Sequence, residues 1–271
     1  MEKLSDYMLI TDLDNTIVSG DLKIAQRDID SLKKLRALGG HYTMSTGRSY
    51  PMSLEYAKLL DLSEPAIILN GSAIYDYKND NFLWRNPISD DAKKFAKEII
   101  DRFEFAALEF LSDKKIYVLR ENAAEKRHLG REKVTYEITD FDSIKDIEMF
   151  KALFALESKY MPELKEYIEK NCPDTFTYVQ SAKWYFELLP FGSSKALANR
   201  KMLELTGRKD MKIVAIGDFY NDYEMISDAD FGVTVANAPQ EIKDISNLVV
   251  STCEEGAITD LVEYMIQNLS H

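Results

Sequence analysis

Apolar residues in this chain follow one rhythm near both ends and another in the middle. Tyr7 to Thr11 is a compact apolar run and reads as a strand. Ala25, Ile29, Leu32 and Leu35 then recur on one helical face, and Gly39-Gly40 stops that helix. His41 to Ser45 reads as a second strand, and Pro51 to Leu60 as a helix with proline near its start. Ala66 to Leu69 is a third strand, closed by the turn signal Asn70-Gly71. Such alternation predicts a parallel sheet with helices on both faces.

The middle changes texture. Asp90 to Phe103 has helical spacing, with Ser89 or Asp90 as the cap. Strand-like runs then crowd together at Phe105 to Leu111, Ile116 to Arg120, Met149 to Leu156, Phe176 to Gln180 and Trp184 to Leu189. One helix, opening at Pro162, interrupts them. This pattern predicts an inserted α+β domain over residues 85–188, within a Rossmann-like α/β core formed by 1–84 and 189–271. Lys78-Asn79-Asp80-Asn81 and Pro190-Phe191-Gly192 read as the crossings. Alternation resumes with a helix from Lys195 to Leu205, a strand from Lys212 to Ile216 and a short helix from Asn221. Strands at Phe231 to Val235 and Leu248 to Val250 flank a helix at Pro239, and a final amphipathic helix starts at Ala257.

Polar groups cluster at the ends of three predicted strands. Asp12-Leu13-Asp14-Asn15-Thr16 follows the first, Ser45-Thr46-Gly47-Arg48 the second, and Gly217-Asp218-Phe219-Tyr220-Asn221-Asp222 the strand from Lys212. Ser193-Ser194-Lys195 adds a lysine at a helix start. In an open α/β sheet, ligands bind outside the carboxyl ends of the strands. Paired carboxylates there repel one another unless a cation or proton neutralises them. Mg²⁺ held by carboxylates and a phosphate meets that need. One carboxylate can then serve as nucleophile and its neighbour as acid and base. Each residue alone also has a structural reading. Thr46 fits a turn hydroxyl, Lys195 a solvated helix lysine, and Asp218 and Asp222 a helix N-terminus. Arg48 fits a substrate contact or a surface ion pair. Trp84, Tyr178, Trp184 and Tyr185 are expected in the core rather than in a pocket. His41, His128 and His271 show no usable spacing.

The 271 residues suffice for two domains. A formal charge of −12 disfavours nucleic acid and anionic membranes as partners, but a metal and a local lysine can still attract a small anion. The polar start of the chain lacks a signal-peptide core, and no apolar run reaches the ~18 residues a spanning helix needs. Cys172 and Cys253 are isolated, which suits a reducing cytoplasm. No obligate protein partner is apparent.

These motifs, in this order, resemble those of the haloacid dehalogenase superfamily of phosphatases, and within it the Cof-type group with a C2 cap. Asn70-Gly71-Ser72-Ala73-Ile74 and Ala236-Asn237-Ala238-Pro239 are similar to further family signatures. The resemblance implies that Asp12 attacks phosphorus and that Asp14 protonates the leaving oxygen and then activates water. It further implies that Thr46 and the Gly47 amide bind phosphoryl oxygens and that Lys195 neutralises the transition state. Mg²⁺ would be held by Asp12, the Asp14 carbonyl and Asp218, with Asp222 as a further ligand or acting through water, and Asn221 would orient the phosphate. Phe219-Tyr220 is bulkier than the usual pair, and Ala196 replaces a common glycine, which bears on substrate shape. The expected function is hydrolysis of a small phosphorylated metabolite, such as a sugar phosphate or phosphorylated cofactor. The alternatives are a phosphomutase with the same chemistry and a non-catalytic phosphate binder.

Overall fold

The computed structural model of the chain describes residues 3–113, 115–132 and 134–269, so His271 lies outside it. The chain divides into two compact units. The first comprises Met1–Thr46, Leu54–Trp84 and Ser194–His271; the second comprises Gly47–Ser53 and Arg85–Ser193.

The chain opens with β1 (Tyr7–Thr11), α1 (Gln26–Ala37), β2 (His41–Met44), α2 (Tyr50–Leu59) and β3 (Ala66–Ile68). A hairpin of β4 (Ala73–Asp76) and β5 (Asn81–Arg85) follows. Next come α3 (Asp90–Arg102), β6 (Ala107–Leu111), β7 (Ile116–Arg120), α4 (Ala123–Glu132) and β8 (Tyr136–Ile138). The second unit continues with α5 (Phe141–Ile144), β9 (Lys151–Ala155), α6 (Met161–Asn171), β10 (Phe176–Ala182) and β11 (Tyr185–Pro190). The chain then returns to the first unit with α7 (Lys195–Leu205), β12 (Lys212–Gly217), α8 (Tyr223–Ser227) and β13 (Phe231–Val235). It ends with α9 (Gln240–Asp244), β14 (Leu248–Val250) and α10 (Ala257–Asn268).

In the first unit, five parallel strands form the sheet β14-β13-β12-β1-β2. All of β1 is buried, and Met8, Leu9 and Ile10 have no exposure. Each such side chain contributes ~1.5–3 kcal/mol when fully buried. Successive β1 side chains reach opposite cores. Leu9 packs with Leu32, Leu35, Leu261 and Met265, while Met8 and Ile10 pack with Ala198, Met202 and Leu203. A continuous apolar strand buried on both faces is what a parallel sheet requires. From β1 the chain builds first to β2 on one side, and later to β12, β13 and β14 on the other. The reversal makes the carboxyl end of β1 a topological switch point, where open α/β sheets bind ligands.

In the second unit, a six-stranded sheet runs β10-β11-β9-β6-β7-β8 and is antiparallel except at β7–β8. One face packs on α3 and α6 through Phe95, Ile99, Leu164 and Ile168. Ser89 caps α3, its hydroxyl accepting from the Ala92 amide at 3.1 Å.

Several local expectations need correction. Lys78-Asn79-Asp80 form the turn between β4 and β5, not a crossing between domains. β3 pairs with the β4–β5 hairpin, and an isolated parallel bridge, Ser45–Ile67, links it to the residue that follows β2. Trp184 is 43% exposed because it occupies the β10–β11 turn, where no layer covers it. α4 and β8 were not expected, since α4 is rich in charge and β8 is an exposed strand of only three residues. The signal for α4 was Asn122, whose side chain accepts from the Glu125 amide at 2.8 Å.

Candidate active site

Register in the parallel sheet brings three sequence motifs to one edge. Thr11 pairs with Met44 on one side and Ile216 on the other, so Asp12, Thr46 and Asp218 all leave the sheet at its carboxyl end. Backbone bonds continue the ladder past the strand ends. The Asp12 amide donates to the Ile216 carbonyl at 2.9 Å, and the Ser45 amide donates to the Thr11 carbonyl at 2.9 Å.

Lys195 joins this edge from the first residue of α7. It is 1% exposed, and its ammonium donates to Asp12 at 2.5 Å and to Asp222 at 2.6 Å. Ser194 caps the helix, accepting from the Leu197 amide, and so fixes where Lys195 begins. The second oxygen of Asp222 accepts from the amides of Asp218 at 3.0 Å and Phe219 at 3.4 Å. Asp222 therefore shapes the loop that carries Asp218 while it holds Lys195. This close approach needs Gly217, where a Cβ would stand 2.4 Å from the Asp222 carboxyl carbon.

The cluster has an excess of negative charge. One carboxylate oxygen from each of Asp12, Asp218 and Asp222 lies within 4.8 Å of the others. Burial pushes the Asp12 carboxyl up to about 7; Lys195 opposes the rise, and Asp222 and Asp14 add to it. Asp218 is raised well above the usual carboxylate range, by burial first and then by Asp12 and Asp222. For Lys195, burial opposes the charge, but Asp12 and Asp222 together outweigh it and raise the ammonium. Hard oxygen donors with too few positive charges fit a divalent cation such as Mg²⁺.

The first unit thus brings together Asp12, Asp218, Asp222 and Lys195, with the Asp14 charge acting on both Asp12 and Asp218. Thr46 is fully buried after β2, and Asn221 lies in the 3-10 turn before α8. Gly47 and Arg48 fall in the second unit. There the Gly47 carbonyl accepts from Lys151 at 2.8 Å, and Arg48 is buried.

Two features escaped the motif reading. Asn70 accepts from the Asn221 side chain at 3.1 Å, and Gly71 abuts the start of α7. The Asn70-Gly71 dipeptide was legible as a turn and as part of a family signature, but not as the partner of Asn221 and α7. In the second unit, Glu109, Glu125 and His128 form a buried group on β6 and α4. His128 lies 3.5 Å from Glu109, and burial plus the Glu109 charge push Glu125 up to about 10. His128 thus has a carboxylate partner that its place in the sequence did not reveal.

Residues 9–262 match the family of haloacid dehalogenase-like hydrolases. The chain is 24% identical over 264 residues to the 5-amino-6-(5-phospho-D-ribitylamino)uracil phosphatase YitU of Bacillus subtilis, covering 95% of this chain and 97% of that one. It is 23% identical over 270 residues to the pyridoxal phosphate phosphatase YbhA of Escherichia coli, covering 96% and 98%. Among solved structures, a sugar phosphatase of haloacid dehalogenase subclass IIB superposes with a TM-score of 0.84 at 18% identity, covering 95% of this chain and 98% of that one. The match spans both halves of the core and the segment between them, and the chain belongs to the haloacid dehalogenase-like hydrolases as a Cof-type member.

Proposed function

We propose that this hydrolase cleaves the phosphate monoester of a small metabolite, with Asp12 as nucleophile and Mg²⁺ as cofactor. The observation that carries this reading is the Lys195 ammonium bonded to both Asp12 and Asp222, beside Asp218, at the carboxyl end of the sheet. Lys195 aims an Asp12 oxygen and offsets the negative charge that gathers on phosphorus. The Asp12 oxygen attacks phosphorus, and the bond from phosphorus to the ester oxygen breaks. Asp14 gives its proton to that oxygen, and the alcohol leaves. Water then attacks the aspartyl phosphate while Asp14 takes its proton, which frees inorganic phosphate and restores Asp12. The Thr46 hydroxyl and the Gly47 amide, one peptide bond on, bind the phosphoryl oxygens. Mg²⁺, held by Asp12, the Asp14 carbonyl and Asp218, would neutralise the anionic substrate. Both oxygens of Asp222 already have partners, which favours a role in holding Lys195 and the Asp218 loop over direct ligation.

The named relatives support a substrate among phosphorylated small molecules: one acts on a ribitylaminouracil phosphate, another on pyridoxal phosphate. Residues 85–188 are proposed as the domain that selects the leaving group, since Asp12, Asp14, Lys195 and Asp218 all lie outside them. The test is phosphate release across a panel of phosphometabolites, with Mg²⁺ and with excess EDTA. Selective, Mg²⁺-dependent release from some members is expected. Release that persists undiminished in EDTA, or no release from any member, would overturn the reading.

A further inference from the structure

Asn70 ties three parts of the site together, and the reaction scheme above does not use it. It follows β3 in a turn whose residues Leu69 and Asn70 have φ of 55° and 53°. Neither is glycine, so the turn holds a left-handed conformation that persists only where the surroundings fix it. Three contacts do so. The Asn70 amide donates to the Thr46 carbonyl at 3.0 Å. The Asn70 side-chain oxygen accepts from the Asn221 amide nitrogen at 3.1 Å. Gly71, at φ 91°, lies so close to α7 that a Cβ would stand 2.2 Å from the Ser194 carbonyl oxygen and 3.0 Å from the Lys195 nitrogen. Asn70 itself is 1% exposed.

Resting on the phosphatase reading, we propose that Asn70 is a positioning residue that fixes Thr46, Asn221 and the start of the Lys195 helix relative to one another. The residue type suits this role. Asparagine tolerates the left-handed region and supplies an acceptor; glycine supplies only the tolerance, and alanine neither. A side-chain amide has two donor hydrogens and one acceptor oxygen. The bond to Asn70 takes one donor of Asn221 and sets the plane of its amide. The other donor and the oxygen then point in fixed directions, ready for a phosphoryl oxygen or its hydration.

The experiment compares wild type, Asn70→Gly, Asn221→Ala and the double variant with p-nitrophenyl phosphate and Mg²⁺. Glycine accepts the backbone conformation, so Asn70→Gly should melt within about 5 °C of wild type. Its kcat should fall by at least about tenfold, with KM changed by less than about threefold, because the loss concerns alignment rather than binding. If Asn70 acts through Asn221, the double variant should match the worse single variant within about twofold. A kcat within about twofold of wild type would overturn the proposal. So would losses that multiply in the double variant, or a melting point lowered by more than about 10 °C, which marks a purely structural residue. Wild-type turnover tests the phosphatase reading separately. If wild type turns over no phosphomonoester, that reading fails, and orthovanadate affinity across the same four proteins decides the positioning role by the same criteria.

Discussion

Replacing Lys195 by methionine removes the ammonium that bonds Asp12 and Asp222 and leaves their carboxylates buried together. Even with Lys195 in place, burial holds Asp12 at about 7 instead of 3.8. At ~1.4 kcal/mol per pKa unit, ionising Asp12 in the folded protein costs ~4 kcal/mol of stability. The direction follows from proton counts. Between about pH 4 and pH 7 the folded state holds a proton that the unfolded state has lost, so stability falls as pH rises through that window. Lys195 restrains this rise, so its removal lifts the carboxyls further and carries the loss to higher pH. Breaking one partner of a buried ion pair costs ~3–5 kcal/mol. Urea denaturation in EDTA should therefore show Lys195→Met destabilised by ~3–5 kcal/mol at pH 8 and by clearly less at pH 5.5, where Asp12 is protonated. Turnover should fall at least ~10²-fold, the scale on which loss of a transition-state donor acts. A penalty that is equal at both pH values, or below ~1 kcal/mol at pH 8, would refute this account of the cluster.

Asp12→Asn keeps the shape of the nucleophile and removes one repelling charge. Its turnover should drop by at least ~10³-fold, while its melting temperature in EDTA at pH 8 should match or exceed wild type; a tenth of normal activity would exclude Asp12 as the attacking group. Mg²⁺ should raise the melting temperature of wild type more at pH 8 than at pH 6, since cation and proton compete for Asp12, and thermal scans with and without EDTA measure this. An equal rise at both pH values would remove Asp12 from the ligand set. Gly71→Ala must place a methyl group against the Ser194 carbonyl at a positive φ, so it should destabilise the protein by ~2 kcal/mol or more and lower kcat through Lys195. Wild-type stability and turnover would show that the turn does not press on α7.

The core was legible because its signals are local. β1 was bounded residue for residue, since a strand buried on both faces is a continuous apolar run ended by Asp12. α1 and α10 carry one-sided apolar stripes, and Ser194 and Gly207 bracket α7. The acidic pairs were legible because carboxylates directly after buried strands have few structural reasons to be there. What escaped depends on contacts far apart in sequence. Asn70 and Asn221 are 151 residues apart, and Glu109 and His128 lie on different elements, so no spacing announces either pair. β4 and β5 escaped because Lys78-Asn79-Asp80-Asn81 reads equally well as a linker and as a hairpin turn. Trp184 misled because aromatic size predicts burial only where a second layer covers the strand.

The proposed reaction gives two equal aspartates different roles, and the charges around them bear on that division. With every group ionised, Asp12, Asp14, Asp218 and Asp222 carry four negative charges against the single positive charge of Lys195. A phosphate monoester dianion adds two more, so the fully ionised site would repel its own substrate. A divalent cation removes part of the excess, and a proton on one carboxyl removes more. In the proposed reaction Asp12 must be ionised to attack. Asp222 is bonded to an ammonium and two amides, which fix both of its oxygens. Asp218 is strongly raised without a cation, and binding one reverses that preference. The proposed reaction places a proton on Asp14. That is the state in which a carboxyl can protonate a leaving alkoxide, and once the alcohol has left, the same group is an ionised base for the attacking water. The proposed division of labour rests on surroundings, with the Lys195 ammonium held against Asp12 and Asp222, and it does not require the two aspartates to differ in intrinsic acidity.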